Sequence, residues 1–186
     1  MGIVSFGKIG QAIAERARGF GVELMVYDPY ISQSSIEKMG CRPVNKETLI
    51  RESDFLMMQA PMTEETHHFL SFDEFKLMKS NAIVINTGRG PTIDNKALYQ
   101  ALTQQEIAAA GLDDPEEEPA KRSSWDPKDN PIFSLPNVLV NPHAAYYSEE
   151  SIRIARETAA TQVAKMIRGE VPDYPVNPDV LNRQQN

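Results

Sequence analysis

Apolar positions follow two rhythms along this chain. Short unbroken apolar runs, as buried parallel strands require, alternate with stretches where apolar residues recur every three or four positions, as one helix face requires. Gly2 to Phe6 is the first run, and Gly7-Lys8-Ile9-Gly10 follows at once. Ile9, Ile13, Ala17 and Phe20 then mark the inner face of a predicted helix, which Gly19 and Gly21 stop. Val22 to Tyr27 predicts a second strand, closed by Asp28-Pro29. Ser34 to Met39 predicts a short helix, Arg42 to Val44 a minimal strand, and Lys46 to Glu52 a helix. Asp54 to Ala60 is a strong apolar strand ended by Pro61, and Phe72 to Met78 is helical. Ala82 to Asn86 predicts a strand, Asn95 to Leu102 a helix, and Ile107 to Leu112 and Val138 to Val140 two further strands. Ser148 to Arg168 reads as a long amphipathic helix with Ile152, Ala159, Val163 and Ile167 on one face.

This alternation calls for parallel strands with helices on both faces, a doubly wound α/β sheet. Asp113 to Pro136 interrupts it with a stretch rich in Pro, Asp and Glu, too long for a tight connection; such loops are functional or mobile. From Val171 onward, Pro172, Pro175, Asn177 and Pro178 predict an extended tail.

Composition narrows the class. The 186 residues are 41% hydrophobic and 24% charged, ordinary for a globular protein. With 19 Lys+Arg against 26 Asp+Glu the net charge is −7, which argues against a nucleic-acid or anionic-membrane partner held by a broad basic face. No apolar run approaches the ~20 residues of a membrane span, and the first residues lack the pattern of a signal peptide. A single cysteine, Cys41, permits no intrachain disulfide and no cysteine zinc cluster. The expectation is a cytoplasmic protein without a metal.

The first strand–turn–helix carries Ser5-Phe6-Gly7-Lys8-Ile9-Gly10, a G-x-G-x-x-G pattern with serine in the first place. Gly7 allows close approach of a pyrophosphate, Gly10 allows close helix–strand packing, and the helix N-terminus offers N–H groups to phosphate. Asp28 closes the second strand, where a carboxylate accepts from ribose hydroxyls and repels a 2′-phosphate, favouring NAD over NADP. On this motif alone, an ordinary glycine-rich turn or a methyltransferase turn remains open.

Three polar groups follow later strands. Arg89, in Asn86-Thr87-Gly88-Arg89-Gly90, suits a carboxylate or 2-keto acid bound by two hydrogen bonds; a solvent-facing turn arginine is the plainer alternative. His143, in Asn141-Pro142-His143-Ala144-Ala145, is a candidate acid/base or else a packed or capping histidine. His67 and His68, in a polar loop, read as surface residues. Glu116-Glu117-Glu118 is a solvated acidic run or supplies a carboxylate that keeps His143 protonated. Together Arg89, Glu118 and His143 fit hydride transfer to a 2-keto acid.

These segments, with Ala60-Pro61-Met62-Thr63, Glu65-Thr66, Gly111-Leu112-Asp113 and Leu135 to His143, resemble the D-isomer-specific 2-hydroxyacid dehydrogenase family. That family includes phosphoglycerate dehydrogenases, glycerate/hydroxypyruvate reductases and the C-terminal-binding-protein corepressors. The resemblance implies a Rossmann-type three-layer α/β/α fold binding NAD. It implies Arg89, Glu118 and His143 as catalytic residues, and Gly7, Lys8, Ile9, Gly10, Asp28, Ala60, Pro61, Thr66, Thr87 and Asp113 as cofactor contacts, with Arg89 also near the nicotinamide. Residues 1–147 would form the NAD-binding domain. Residues 148–186 would form a helix and tail that return to a substrate domain, most of which, roughly 100 residues, would precede this sequence. The helix would then expose an apolar patch covered by homodimerisation. Ala144 to Glu149 is most similar to the corepressor-like branch, which leaves an NAD(H)-responsive interaction module without turnover as the alternative.

Overall fold

The computed structural model describes residues 1–116, 123, 124 and 126–178. It divides into two units, one running from Met1 to Ala145 and a second starting at Tyr146.

The first unit is built on seven parallel strands: β1 (Gly2–Val4), β2 (Met25–Tyr27), β3 (Arg42–Pro43), β4 (Phe55–Met58), β5 (Ile83–Asn86), β6 (Ala109–Leu112) and β7 (Val138–Val140). Their order in the sheet is β3-β2-β1-β4-β5-β6-β7. The chain runs outward from β1 through β2 to β3 and then returns to the other side of β1 with β4. The switch point therefore lies between β1 and β4, where Ile3 pairs Met57 and Val4 pairs Met58. In such sheets ligands settle outside the carboxyl ends of the strands at this point.

Five helices connect the strands: α1 (Lys8–Ala17), α2 (Gln33–Lys38), α3 (Lys46–Glu52), α4 (Phe72–Leu77) and α5 (Asn95–Thr103). Local chemistry sets their starts. Ser32, Asn45 and Asp94 each accept first-turn N–H groups, and Ser71 and Glu74 cap each other's backbone at α4. Successive strand residues bury opposite ways. Ile3 and Val26 join one cluster with Ala14, Ala17 and Ile36, whereas Val4 and Met25 join the other with Leu49, Leu56, Phe75, Val84 and Leu98.

The expected inner face of the first helix is corrected. Ile9 and Phe20 are 64% and 85% exposed, and the buried positions are Gly10, Ala14 and Ala17. Small residues face the sheet because the helix starts in near contact with the strand: a Cβ on Gly10 would stand 2.4 Å from the Ser5 carbonyl oxygen. Bulky Ile9 and Phe20 then have no room inward. Most strands are also shorter than the apolar runs, although Leu24, Val44 and Ala82 just beyond their ends still hydrogen-bond to the neighbouring strand or the residue before it.

In the second unit, α6 (Glu149–Ile167) begins at Ser148, whose hydroxyl accepts the Ser151 N–H while Ser151 answers back to the Ser148 N–H. Glu149 and Glu150 in its first turn and Lys165 in its last suit the helix dipole. None of its residues is buried; Val163 and Ile167 of the predicted apolar side stand exposed, and so does Met166 beside them. Gln162 and Lys165 hold the Asp173 carboxylate, which keeps the start of the tail against the helix and draws that carboxyl below its usual pKa. Among the described residues, no helix is long and apolar enough to cross a membrane.

Candidate active site

Every candidate side chain in the first unit follows a strand's carboxyl end. After β1, Ser5 takes a left-handed backbone with φ of 73°, the turn for which the first glycine of the pattern exists. Its N–H donates to the Tyr27 carbonyl at 2.9 Å, so the strained residue also ties β1 to β2. Gly7 then opens α1, with no side chain capping the helix and nothing within 4 Å of where its Cβ would stand. Lys8 and Ile9 of the first turn are exposed. This is an open, positive helix end with room for a phosphate.

Asp28 lies across the turn. One carboxylate oxygen accepts the Phe6 N–H at 2.7 Å, and the other accepts the Tyr30 N–H at 2.8 Å. Each oxygen keeps a second lone pair. A cavity of about 120 Å³ opens beside it, lined among others by Ser5, Asp28, Tyr30, Ala60, Pro61 and Thr66. Sequence reasoning missed Tyr30 and Glu65 at this cavity. The Tyr30 hydroxyl donates to the Glu65 carboxylate, and that hydrogen bond pushes the phenol's pKa up. Only the exposed tyrosine two residues after Asp28 could have signalled it. Thr66 works inside its own loop, its hydroxyl donating to the Pro61 carbonyl at 2.6 Å and accepting the Thr63 N–H at 2.8 Å. Broader hollows lie at the opposite, amino edge of the sheet, away from these groups.

After β5, buried Asn86 shapes the next loop. Its amide donates to the Arg89 carbonyl at 3.0 Å, and its oxygen accepts the Gly88 N–H at 3.0 Å. The Thr92 hydroxyl donates to the same Arg89 carbonyl at 2.6 Å. Arg89 is exposed, with one guanidinium nitrogen on the Gly88 carbonyl at 2.7 Å. The Thr87 hydroxyl accepts from the Gln59 amide at 2.6 Å, which joins the ends of β5 and β4. Gly90 has no room for a side chain, because its Cβ would stand 2.4 Å from the Pro115 carbonyl carbon. The arginine loop and the loop after β6 are thus in backbone contact.

Asp113 follows β6 and is 4% exposed. Its carboxylate accepts the Ala144 N–H at 2.9 Å and the Ala145 N–H at 3.0 Å, while its carbonyl accepts the His143 N–H at 2.9 Å. His143 is half-buried with φ of 52°, and these bonds hold it in that turn. Pairing of Asn86 with Leu112 and of Leu112 with Val140 sets the Arg89, Asp113 and His143 loops on adjacent strand ends. Glu118 lies outside the described residues. Its neighbour Glu116 instead meets His68, which the sequence placed at the surface and which is partly buried. Asp114, also unanticipated, is 2% exposed, and neither carboxylate oxygen has a hydrogen-bond partner among the described residues.

The features a dinucleotide needs are therefore present: an uncapped helix end, a close-packed glycine behind it, and an acid beside a cavity at the switch point. Comparison with known proteins agrees. Residues 1–145 match the family model described as D-isomer specific 2-hydroxyacid dehydrogenase, NAD binding domain. The chain is 42% identical over 181 residues to a glyoxylate reductase of Thermococcus litoralis, covering 97% of this chain and 53% of that protein. It is 40% identical over 178 residues to a D-3-phosphoglycerate dehydrogenase of Methanocaldococcus jannaschii, covering 95% of this chain and 33% of that one. The NAD-complexed crystal structure of a D-isomer specific 2-hydroxyacid dehydrogenase from Lactobacillus delbrueckii ssp. bulgaricus superposes with a TM-score of 0.85 at 29% identity, over 94% of this chain and 55% of that one. The chain thus spans between a third and about half the length of these relatives. With the fold, the cofactor cradle and the sequence match in accord, the chain belongs to the D-isomer specific 2-hydroxyacid dehydrogenase family and carries its NAD-binding domain.

Proposed function

We propose that this chain supplies the cofactor half and the reacting groups of an NAD-dependent dehydrogenase that interconverts a 2-keto acid and a D-2-hydroxy acid. NAD(H), when bound, supplies the hydride acceptor or donor. The N-terminus of α1, at Gly7, Lys8, Ile9 and Gly10, would hold the pyrophosphate, and Asp28 would accept from the adenosine ribose with its remaining lone pairs. Ala60, Pro61 and Thr66 line the adenosine side, and Thr87 and Asp113 shape the nicotinamide end. Arg89 holds the substrate carboxylate and polarises the keto oxygen. His143 gives its proton to that oxygen during reduction and takes it back during oxidation, with Glu118 favouring the protonated ring.

One observation supports this most: buried Asp113 fixes the His143 turn beside the loop that presents Arg89. The relatives reported above are named as reductases and dehydrogenases, which favours turnover over the alternative of an interaction module. Residence in the cytoplasm and homodimerisation through exposed Val163, Met166 and Ile167 of α6 belong to the same proposal. So does the role of residues 148–186 as the part that returns to a substrate domain.

Fluorescence titration with NADH and NADPH tests the cofactor site. NADH should saturate and be preferred, and Asp28→Asn should narrow the preference. Equal binding of both, or none, overturns the assignment. Glyoxylate or hydroxypyruvate with NADH then tests turnover, which Arg89→Ala should abolish.

A further inference from the structure

His67, His68 and Glu116 come from two loops, 48 positions apart between His68 and Glu116, and no sequence spacing announces them as a set. In the fold, one ligand atom from each lies within 4.8 Å of the others. His68 has a left-handed backbone, φ 49°, which turns two consecutive side chains to the same side instead of alternating them. Their rings stack with centroids 3.9 Å apart. The His68 Nε2 atom meets a Glu116 oxygen at 2.6 Å.

The groups behind these three are already oriented. The second Glu116 oxygen accepts the Asn95 N–H at 3.0 Å. The other nitrogen-bearing edge of the His68 ring is turned towards Asp94, with Nδ1 3.7 Å from Oδ2. Asp94 is itself fixed by the N–H groups of Lys96 and Ala97 and by the Ser71 hydroxyl at 3.1 Å. A carboxylate behind the second nitrogen of a histidine is the kind of partner that orients imidazole for a metal, and here Asp94 needs to close by only a few tenths of an ångström to accept the Nδ1 proton.

We propose that His67, His68 and Glu116 bind a divalent transition-metal ion of the zinc class, at a site that the dehydrogenase reading does not use. Two imidazole nitrogens and one carboxylate oxygen leave a fourth tetrahedral position for water, and this donor set suits zinc rather than magnesium or calcium. Bonds of about 2.0–2.2 Å at tetrahedral angles separate neighbouring ligand atoms by about 3.3 Å. The His68–Glu116 contact opens by less than about 1 Å to admit the ion. The ion takes the Nε2 lone pair, the ring proton sits on Nδ1 facing Asp94, and any second proton on the ring leaves to solvent. The ion would tie the loop before α4 to the loop after β6.

Equilibrium dialysis of the untagged chain against Zn²⁺, with Mg²⁺ as comparison, tests the site. One equivalent of zinc should bind saturably and magnesium should not. Exposed His67 can be changed without touching the His68–Glu116 contact, so His67→Ala should fold normally and bind zinc at least about tenfold more weakly. Glu116→Gln should weaken binding similarly, while His143→Ala, the third histidine, should leave it unchanged. Buried Cys41, whose thiol pKa burial pushes up, does not compete. Absence of saturable binding, or parental affinity in His67→Ala, overturns the proposal, and neither outcome bears on NADH binding.

Discussion

The carbonyl of Asp113 accepts the backbone N–H of His143 at 2.9 Å, and the same residue's carboxylate accepts the next two N–H groups along the chain. One buried acid thus fixes three successive amides beyond β7. Asp113→Ala leaves the Ala144 and Ala145 N–H groups without that acceptor, and a hydrogen bond to a charged group is worth about 1.5–3 kcal/mol. Urea unfolding should show a loss of about that size, with weaker NADH binding. A variant as stable as the parent would mean that the turn holds itself.

Ser5 occupies a left-handed turn that costs a non-glycine residue about 1–2 kcal/mol, whereas glycine there adds about 0.5–1 kcal/mol of unfolded-chain entropy. Ser5→Gly should therefore gain roughly 0.5 kcal/mol, read as a small rise in Tm, and NADH affinity should not fall. Gly10→Ala runs the other way. Its Cβ meets the Ser5 carbonyl at 2.4 Å, so the helix must shift, at a cost of about 1–3 kcal/mol.

Asp94 should give the chain an acid-sensitive step. Burial works to raise its pKa, but N–H groups of Ala97 and Lys96, the Ser71 hydroxyl and nearby His68 outweigh burial and hold it below the usual value. A carboxylate depressed in the folded state contributes stability above its unfolded pKa of about 3.9 and loses it as pH falls through the lower folded value. Asp94→Asn should flatten stability over that acidic range. Asp94→Ala should also remove the cap of α5, costing about 1 kcal/mol near pH 7 by thermal melting.

Asp114 should be a net cost to the fold. Its carboxylate is buried with neither oxygen hydrogen-bonded among the described residues, and an uncompensated buried polar group costs about 1–3 kcal/mol. Asp114→Val should raise the urea midpoint accordingly. A lower midpoint would show that Asp114 holds the start of the loop after β6.

Much of this architecture was legible in the sequence because its signals are local. Lys46 to Glu52 has a polar cap and a helical rhythm, and Val138 to Val140 a bare apolar run; the structure has both with the same bounds. Gly7, Asp28, Arg89 and His143 could be placed because each follows an apolar run that must be a strand. The inner face of α1 was illegible because period alone favours bulky Ile9, whereas the approach of Gly10 to Ser5 selects small residues. The pairing of His68 with Glu116, and of Tyr30 with Glu65, depends on loops that meet only in three dimensions.

The hydrogen bonds that shape the Arg89 and His143 loops run through main-chain atoms and through Asn86, Thr92 and Asp113. Most of the scaffold of the two turns is thereby set by residues other than the reacting groups it carries, although Arg89 adds its own bond to the Gly88 carbonyl. A lineage that exchanges a reacting group by point mutation inherits the bonds of Asn86, Thr92 and Asp113 with it, so new chemistries can be tried on this edge of the sheet without a new fold having to be found.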